Sequence, residues 1–172
     1  YLYSDGSITA NAFGLGASTS IARGAIVHGE VDATAYVYGS IHSTASTGDV
    51  GTAVATGIDV YGDTGFGYLY NDGDIYAQAT AGSGAGSLAV AYGALVTGPT
   101  GASLQGDGVV DAQANAGTSG TAVAIGASVT SGAGTVDVAM NGFQVDAVAG
   151  NYGYAHAVGI NAPIYLCATW DE

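Results

Sequence analysis

Three histidines, one cysteine and fourteen carboxylates are the side chains of this 172-residue chain suited to acid–base or metal chemistry. Their spacing builds neither. His28, His42 and His156 stand far apart, and Cys167 has no second cysteine to form a disulfide or a Cys-x-x-Cys ligand pair. No Gly-x-Ser-x-Gly elbow sits between a strand and a helix. The glycine-rich stretches GLGAS at 14–18 and GSGAG at 82–86 are not followed by a helix that would present backbone N–H groups to a phosphate. Nothing singles out one carboxylate as an acid and another as its base. The expectation is a protein without catalytic residues, and a solenoid polysaccharide lyase is disfavoured because basic and metal-binding candidates are missing.

Two groups of residues carry binding chemistry. Asp5, Asp72 and Asp107 occupy equivalent positions before a glycine, with Asn71 and Asp74 flanking one of them. Oxygen-rich turns stacked in register suit Ca²⁺, which makes Asp72, Asp74 and Asp107 weak calcium candidates. The calcium-binding nonapeptide GGxGxDxUx is absent, and Asx-turn chemistry alone accounts for these residues. No other cofactor is expected. Asp111, Asp137 and Asp146 each follow a valine and read as solvated outward positions. The second group is aromatic: Tyr1/Tyr3, Tyr36/Tyr38 and Tyr68/Tyr70 are i, i+2 pairs, each on one face of a strand. Stacked, they form a ladder suited to sugar stacking, adhesion or subunit contact, or to cross-strand stabilisation alone. Tyr36, Tyr38, Tyr68 and Tyr70 are therefore the candidate ligand-binding residues. Units four and five are expected to lack the pair, carrying Ala102/Leu104 and Val136/Val138 instead.

The elements that position these residues follow from composition and repetition. Glycine (30) and alanine (32) make up over a third of the chain, while Asp, Glu, Lys and Arg number only fifteen. Apolar content of 48% is too high for a solvated disordered chain despite a net charge of −13. Arg23 is the only Lys or Arg residue, which excludes nucleic acid and anionic membrane surfaces as partners. Glycine abundance and the scarcity of Leu, Lys and Glu argue against a helical bundle. No apolar run reaches 18 residues, so no membrane-spanning helix is expected. The chain begins at Tyr1 with no leader in view, as in a processed chain or a segment of a longer one. The absence of lysine points to an extracellular or cell-surface location.

YLYSDGSITA at 1–10 and YLYNDGDIYA at 68–77 share seven of ten residues at an offset of 67, twice a unit of about 34. Units open at Gly6, Gly39, Gly73, Gly108 and Gly142. A second landmark, IARGAIV, VATGIDV, VAYGALV, VAIGASV and AVGINAP, centres on Gly24, Gly57, Gly93, Gly126 and Gly159. Two landmarks sharing one period place residues 1–172 in a single repeat domain. Each unit holds about three strand-like runs. In VVDAQANA at 109–116, Val110, Ala112, Ala114 and Ala116 share one face and Asp111, Gln113 and Asn115 the other. Asp-Gly or Asn-Gly precedes this run in four units and predicts a tight turn of positive φ.

These features predict an all-β solenoid of about five coils of roughly 34 residues, stacked by parallel pairing. Ile8, Ile41, Ile75, Val110 and Val145 form the predicted inward ladder, the last after a one-residue bulge following Gly142. Inward alanines predict a thin cross-section. The run LAVAYGALV at 88–96 is apolar on both faces, so Ile21, Val54, Val90 and Val123 form a stripe that either a second layer or a neighbouring molecule covers. The alternative fold is an antiparallel β-sandwich, a pilin-like subunit whose first residues donate a strand to the next copy.

GTAVAIGASV at 120–129 and GSLAVAYGALVTG at 86–98 resemble the Ala-Ile-Gly coils of trimeric autotransporter head domains, and the wider repeat resembles β-solenoid segments of bacterial surface adhesins and extracellular fibre proteins. The unit is longer than a trimeric-head coil and no stalk heptads occur. The resemblance implies an extracellular, structural or adhesive role with no catalytic residues. The expected function is a subunit of an extracellular filament, or one section of a tandem-repeat fibre, that assembles with itself head to tail. Its expected interface is Tyr1, Leu2 and Tyr3 at one end and Ile164, Tyr165, Leu166 and Trp170 at the other. The alternative is an adhesin module that binds glycan or another surface through the tyrosines.

Overall fold

The structure, a computed structural model, describes residues 1–162. Its described residues form a β-solenoid of about five turns with no helix. The first coil runs through β1 (Leu2–Ser4), β2 (Ser7–Gly14) and β3 (Thr19–Gly29); the second through β4 (Ala33–Val37), β5 (Ser40–Thr47) and β6 (Thr52–Gly62); the third through β7 (Phe66–Asn71), β8 (Asp74–Ala81) and β9 (Leu88–Gly98). In the last two coils the first two strands merge, giving β10 (Gly101–Ala116) and β11 (Thr121–Ser131), then β12 (Thr135–Ala149) and β13 (Tyr154–Asn161).

One sheet takes β3, β6, β9, β11 and β13 in that spatial order. The other combines two tracks: β1, β4, β7 and the first half of β10, and β2, β5, β8 and its second half, with β12 paired along both halves of β10. Every pairing is parallel. This overturns the antiparallel sandwich. The period-two pattern suits either fold, but equivalent residues of successive units pair in register here, as only coil-on-coil stacking allows.

The interior has two zones. Val37, Ile41, Ile58, Val60, Leu69, Ile75, Val96, Leu104, Val110 and Val129 fill the wider one. The narrower zone consists of alanines: Ala22, Ala45, Ala53, Ala55, Ala77, Ala79, Ala89, Ala91, Ala112, Ala114, Ala122 and Ala124 are among them. A thin cross-section therefore holds for one side of the coil only. The glycine ladder marks the boundary. Gly24, Gly57, Gly93, Gly126 and Gly159 lie opposite one another across the second sheet. A Cβ on Gly24, Gly57 or Gly93 would collide with Ile41, Ile75 or Val110 respectively, and with the carbonyl of the next glycine in the ladder. Inward parity changes here: Ala89 and Ala91 face the interior before Gly93, and Ala94 and Val96 after it.

The opening glycines need a different explanation from the one predicted. Among the glycines, only Gly16, Gly86 and Gly106 have positive φ, so Gly6, Gly39, Gly73 and Gly108 are not there for a left-handed turn. A Cβ on Gly39 would overlap the Gly6 carbonyl oxygen, and one on Gly73 that of Gly39. Coils approach so closely at Gly39, Gly73 and Gly108 that no side chain fits, while a Cβ on Gly6 in the first coil would meet nothing within 4 Å. The fifth member of the inward ladder also differs: Val110 pairs with Phe143, and Val145 pairs with Ala112. The irregularity lies earlier than predicted, where Asp107 and Gly108 of β10 face Asn141 alone between the Gly106–Met140 and Val109–Gly142 pairs.

Asn71 is the largest polar side chain held entirely inside. It sits at the corner between β7 and β8, and its amide donates to the carbonyls of Gly73 (3.1 Å) and Val109 (3.3 Å). It thereby satisfies backbone groups where the strand ladder breaks.

Candidate functional site

The three outer faces of the coil differ in chemistry, because outward residues of equivalent strands stack into columns. On the β1–β4–β7 track the columns are aromatic. Tyr3, Tyr36 and Tyr70 are register partners, and Tyr68 lies beside Thr34. The pair in the second coil is offset by two residues, so the rings interleave. Centroids are 5.8 Å apart for Tyr1–Tyr36, 5.4 Å for Tyr3–Tyr38, 5.8 Å for Tyr36–Tyr68, 6.1 Å for Tyr36–Tyr70 and 5.9 Å for Tyr38–Tyr70. The rings are mutually tilted, an arrangement favoured by their quadrupoles. Tyr36, Tyr38, Tyr68 and Tyr70 thus come together as one platform that Tyr1 and Tyr3 extend.

The platform continues as polar groups in the fourth and fifth coils. The positions stacked on Tyr68 and Tyr70 are Ser103 and Gln105, and beyond these Asp137 and Ala139. The expected occupants Ala102 and Leu104 instead point inward and are fully buried, and Val136 and Val138 pack against the same core. Their parity places them one residue out of phase with the tyrosines. Tyr68 donates its hydroxyl to Gln105 Oε1 (3.4 Å), and the Gln105 amide donates to Asp137 (2.8 Å). Neither Gln105 nor Asp137 was predicted on this surface, because only the strand register shows which side chains stack on a tyrosine in the next coil.

The turn carboxylates are engaged by neutral donors. Tyr70 donates its hydroxyl to Asp72 (3.0 Å), and the Asp107 backbone N–H donates to the other oxygen of Asp72 (3.0 Å). Asn141 in turn donates to Asp107. The hydrogen bond to Asp72 is the main cause that raises the Tyr70 phenol above its ordinary pKa; burial is the main cause for Tyr38 and Tyr68. Among the described residues no three His, Cys, Asp or Glu side chains converge as a metal site.

The β2–β5–β8 track is polar. A groove of about 230 Å³ lies there, lined by His42, Asp74, Ile75, Tyr76, Val109 and Asp111. His42 and Tyr76 stack at 5.6 Å, and Tyr76 donates to Gln113 (3.1 Å). Burial raises the Asp111 pKa, a hydrogen bond from Gln113 opposes that rise, and Asp146 adds to it. Asp137 and Asp146 are exposed as expected, whereas Asp111 is half-buried.

The second sheet presents the third face. Ile21, Val54, Val90 and Val123 are register partners across it, as the repeat predicts. No described residue covers this stripe. Its charged groups are confined to the first two coils and His156: Arg23 and His28 both lie near Asp59, and His28 pairs with Asp63 at 2.9 Å. Burial nonetheless holds the Asp59 pKa above its ordinary value, against the pull of Arg23 and His28.

Tyr1, Leu2 and Tyr3 lie at one end of the stack, where Leu2 and Tyr3 belong to β1 and pair only with β4. The other predicted interface residues, Ile164, Tyr165, Leu166 and Trp170, lie outside the described residues, as does Cys167. No helix among the described residues is long and apolar enough to cross a membrane. No family model, curated protein or solved structure matches the chain.

Proposed function

We propose that the chain is a structural unit of an extracellular filament or fibre, extended by stacking further coils on its ends. One observation carries this reading. At the β1–β2–β3 end, each strand pairs on one edge only, and the inward Leu2, Ile8, Ala10 and Ala12 are only half-buried. Unpaired parallel edges with an uncovered interior are a template for one more coil. That coil comes from a second copy or from a longer chain of the same repeat. Such a contact is head to tail and does not close, so it propagates. The absence of lysine supports the extracellular setting, and the role needs no catalytic group or cofactor.

Negative-stain microscopy of the purified chain at high concentration tests the proposal. Filaments with lengthwise coil stacking are expected, and only monodisperse monomers would sink self-polymerisation.

A second reading is favoured by the tyrosine platform: an adhesin module that stacks sugar rings on Tyr36, Tyr38, Tyr68 and Tyr70, with Gln105 and Asp137 as hydrogen-bonding neighbours. Alanine at the four tyrosines should abolish glycan or surface binding and leave assembly intact. Unchanged adhesion would end this reading.

A further inference from the structure

We infer that the outer face of the second sheet docks a second copy of this chain side to side, independently of any contact at the coil ends. Three observations carry it.

The first is chemical. The outward residues of β9 and β11 are Leu88, Val90, Tyr92, Leu95 and Thr97, then Thr121, Val123, Ile125, Ser128 and Thr130. None is charged. Ile21 and Val54 of β3 and β6 join Val90 and Val123 in an unbroken apolar row across four register-matched strands, flanked on β9 and β11 by Tyr92, Leu95 and Ile125; Asp59 separates Ile26 from Leu95. Isolated apolar residues on a surface need no partner; a contiguous field does.

The second is the distribution of charge, which selects the occupant. Asp72, Asp74, Asp107, Asp111, Asp137 and Asp146 lie along the tracks and corner of the first sheet. On the second sheet's face the described carboxylates are Asp59, with Arg23 and His28 nearby, and at its rim Asp63, paired with His28; both lie in the second coil, and β9 and β11 carry none. Two copies of a chain with net charge −13 would repel through the first sheet and meet with least repulsion through the uncharged β9–β11 part of the second. An anionic lipid surface gains nothing from this face, since Arg23 is already near Asp59.

The third is size. Four strands of eleven residues and one of eight, at about 3.3 Å per residue and about 4.8 Å between strands, give a face of about 800 Å². A stable protein–protein interface needs about 800 Å² from each partner. Two such faces packed about 10 Å apart would form a sheet-on-sheet core with the geometry of a β-sandwich. The contact is isologous and closes at two copies, unlike the open-ended contact at the coil ends.

The test compares wild type with V90E/V123E on this face and with T44E on the polar track of the other sheet, by sedimentation velocity and negative-stain microscopy. Wild type and T44E should run as dimers, or show filaments of paired width where the chain polymerises. V90E/V123E should run as monomers or single-width filaments with an unchanged circular dichroism spectrum. The milder V90T/V123T guards against misfolding and should weaken pairing by about tenfold while the fold is retained. Wild type that is single-width at every concentration, or V90E/V123E that stays paired, overturns the inference. Monomers that float with phosphatidylcholine vesicles overturn it too, as does T44E that loses pairing to the same extent as V90E/V123E. Loss of length with retained pairing counts against end-to-end stacking alone, so the two proposals fail separately.

Discussion

Gly57 sits against Ile75 so closely that a methyl group on its α-carbon would overlap Ile75 Cγ2 and lie 2.5 Å from the Gly93 carbonyl oxygen. The same relation joins Gly24 to Ile41 and Gly93 to Val110. The glycine ladder is the seam on which the wider and the alanine-filled zones meet. Gly57→Ala is expected to cost about 1–3 kcal/mol, the usual penalty for overpacking a tight core. Gly6→Ala is the control, since a Cβ there meets nothing within 4 Å and its φ is not positive. Urea unfolding of the two variants measures the difference; equal stability would refute the steric role of the ladder.

Ile8 and Ile41 are register partners with unequal surroundings, half-exposed at the end of the stack and fully buried one coil inward. Ile41→Ala should cost about 2–5 kcal/mol as a cavity in a packed core, and Ile8→Ala clearly less. If coils add at this end, Ile8 becomes buried too. The cost of Ile8→Ala should then rise towards that of Ile41→Ala as protein concentration rises. Thermal unfolding over a hundredfold concentration range reads this out.

Tyr36 touches three other rings, those of Tyr1, Tyr68 and Tyr70, whereas Tyr1 touches one. Aromatic pairs contribute about 0.5–1.5 kcal/mol each beyond their burial. Tyr36→Ala should therefore destabilise the chain by about 2 kcal/mol, and Tyr1→Ala by well under 1 kcal/mol. Equal losses in chemical denaturation would show that the number of ring contacts does not set a tyrosine's contribution to stability.

Asp111 has a raised pKa because burial outweighs the Gln113 hydrogen bond, with Asp146 adding repulsion. The folded state thus binds this proton more tightly than the unfolded state. The stability it contributes is present in full below the ordinary aspartate range and is lost as pH rises through the folded value. Asp111→Asn removes that loss and keeps a carbonyl acceptor for Gln113. At pH 7 the variant should melt above wild type, and the gap should close near pH 3. A lower melting temperature at pH 7 would show that the carboxylate is needed in its charged form.

Much of the architecture was legible in the residues. The spacing of Gly24, Gly57, Gly93, Gly126 and Gly159 matches the strand register throughout, and so does the stripe from Ile21 to Val123. The tyrosine pairs come together because i, i+2 residues share a face and repeats stack. Misreadings cluster where coil length changes. A single extra residue at Asp107–Gly108 shifted Phe143 into the ladder in place of Val145. Counting back by the wrong parity put the buried Ala102 and Leu104 where Ser103 and Gln105 stand.

Period-two alternation and a recurring unit are local properties, so the residues alone determined that this chain forms strands, that the strands recur in equivalent units, and which side chains within one run share a face. They could not determine how near one coil comes to another. That distance depends on contacts between residues about 34 positions apart, and it explains why Gly39, Gly57 and Gly73 admit no side chain although their φ is not positive. It also places the net charge. A value of −13 is a sum along the chain, but stacking places Asp72, Asp74, Asp107, Asp111, Asp137 and Asp146 along the first sheet and leaves the outward residues of β9 and β11 uncharged. Sequence order mixes the faces at every second residue; only the assembled coil separates an aromatic, a polar and an apolar side.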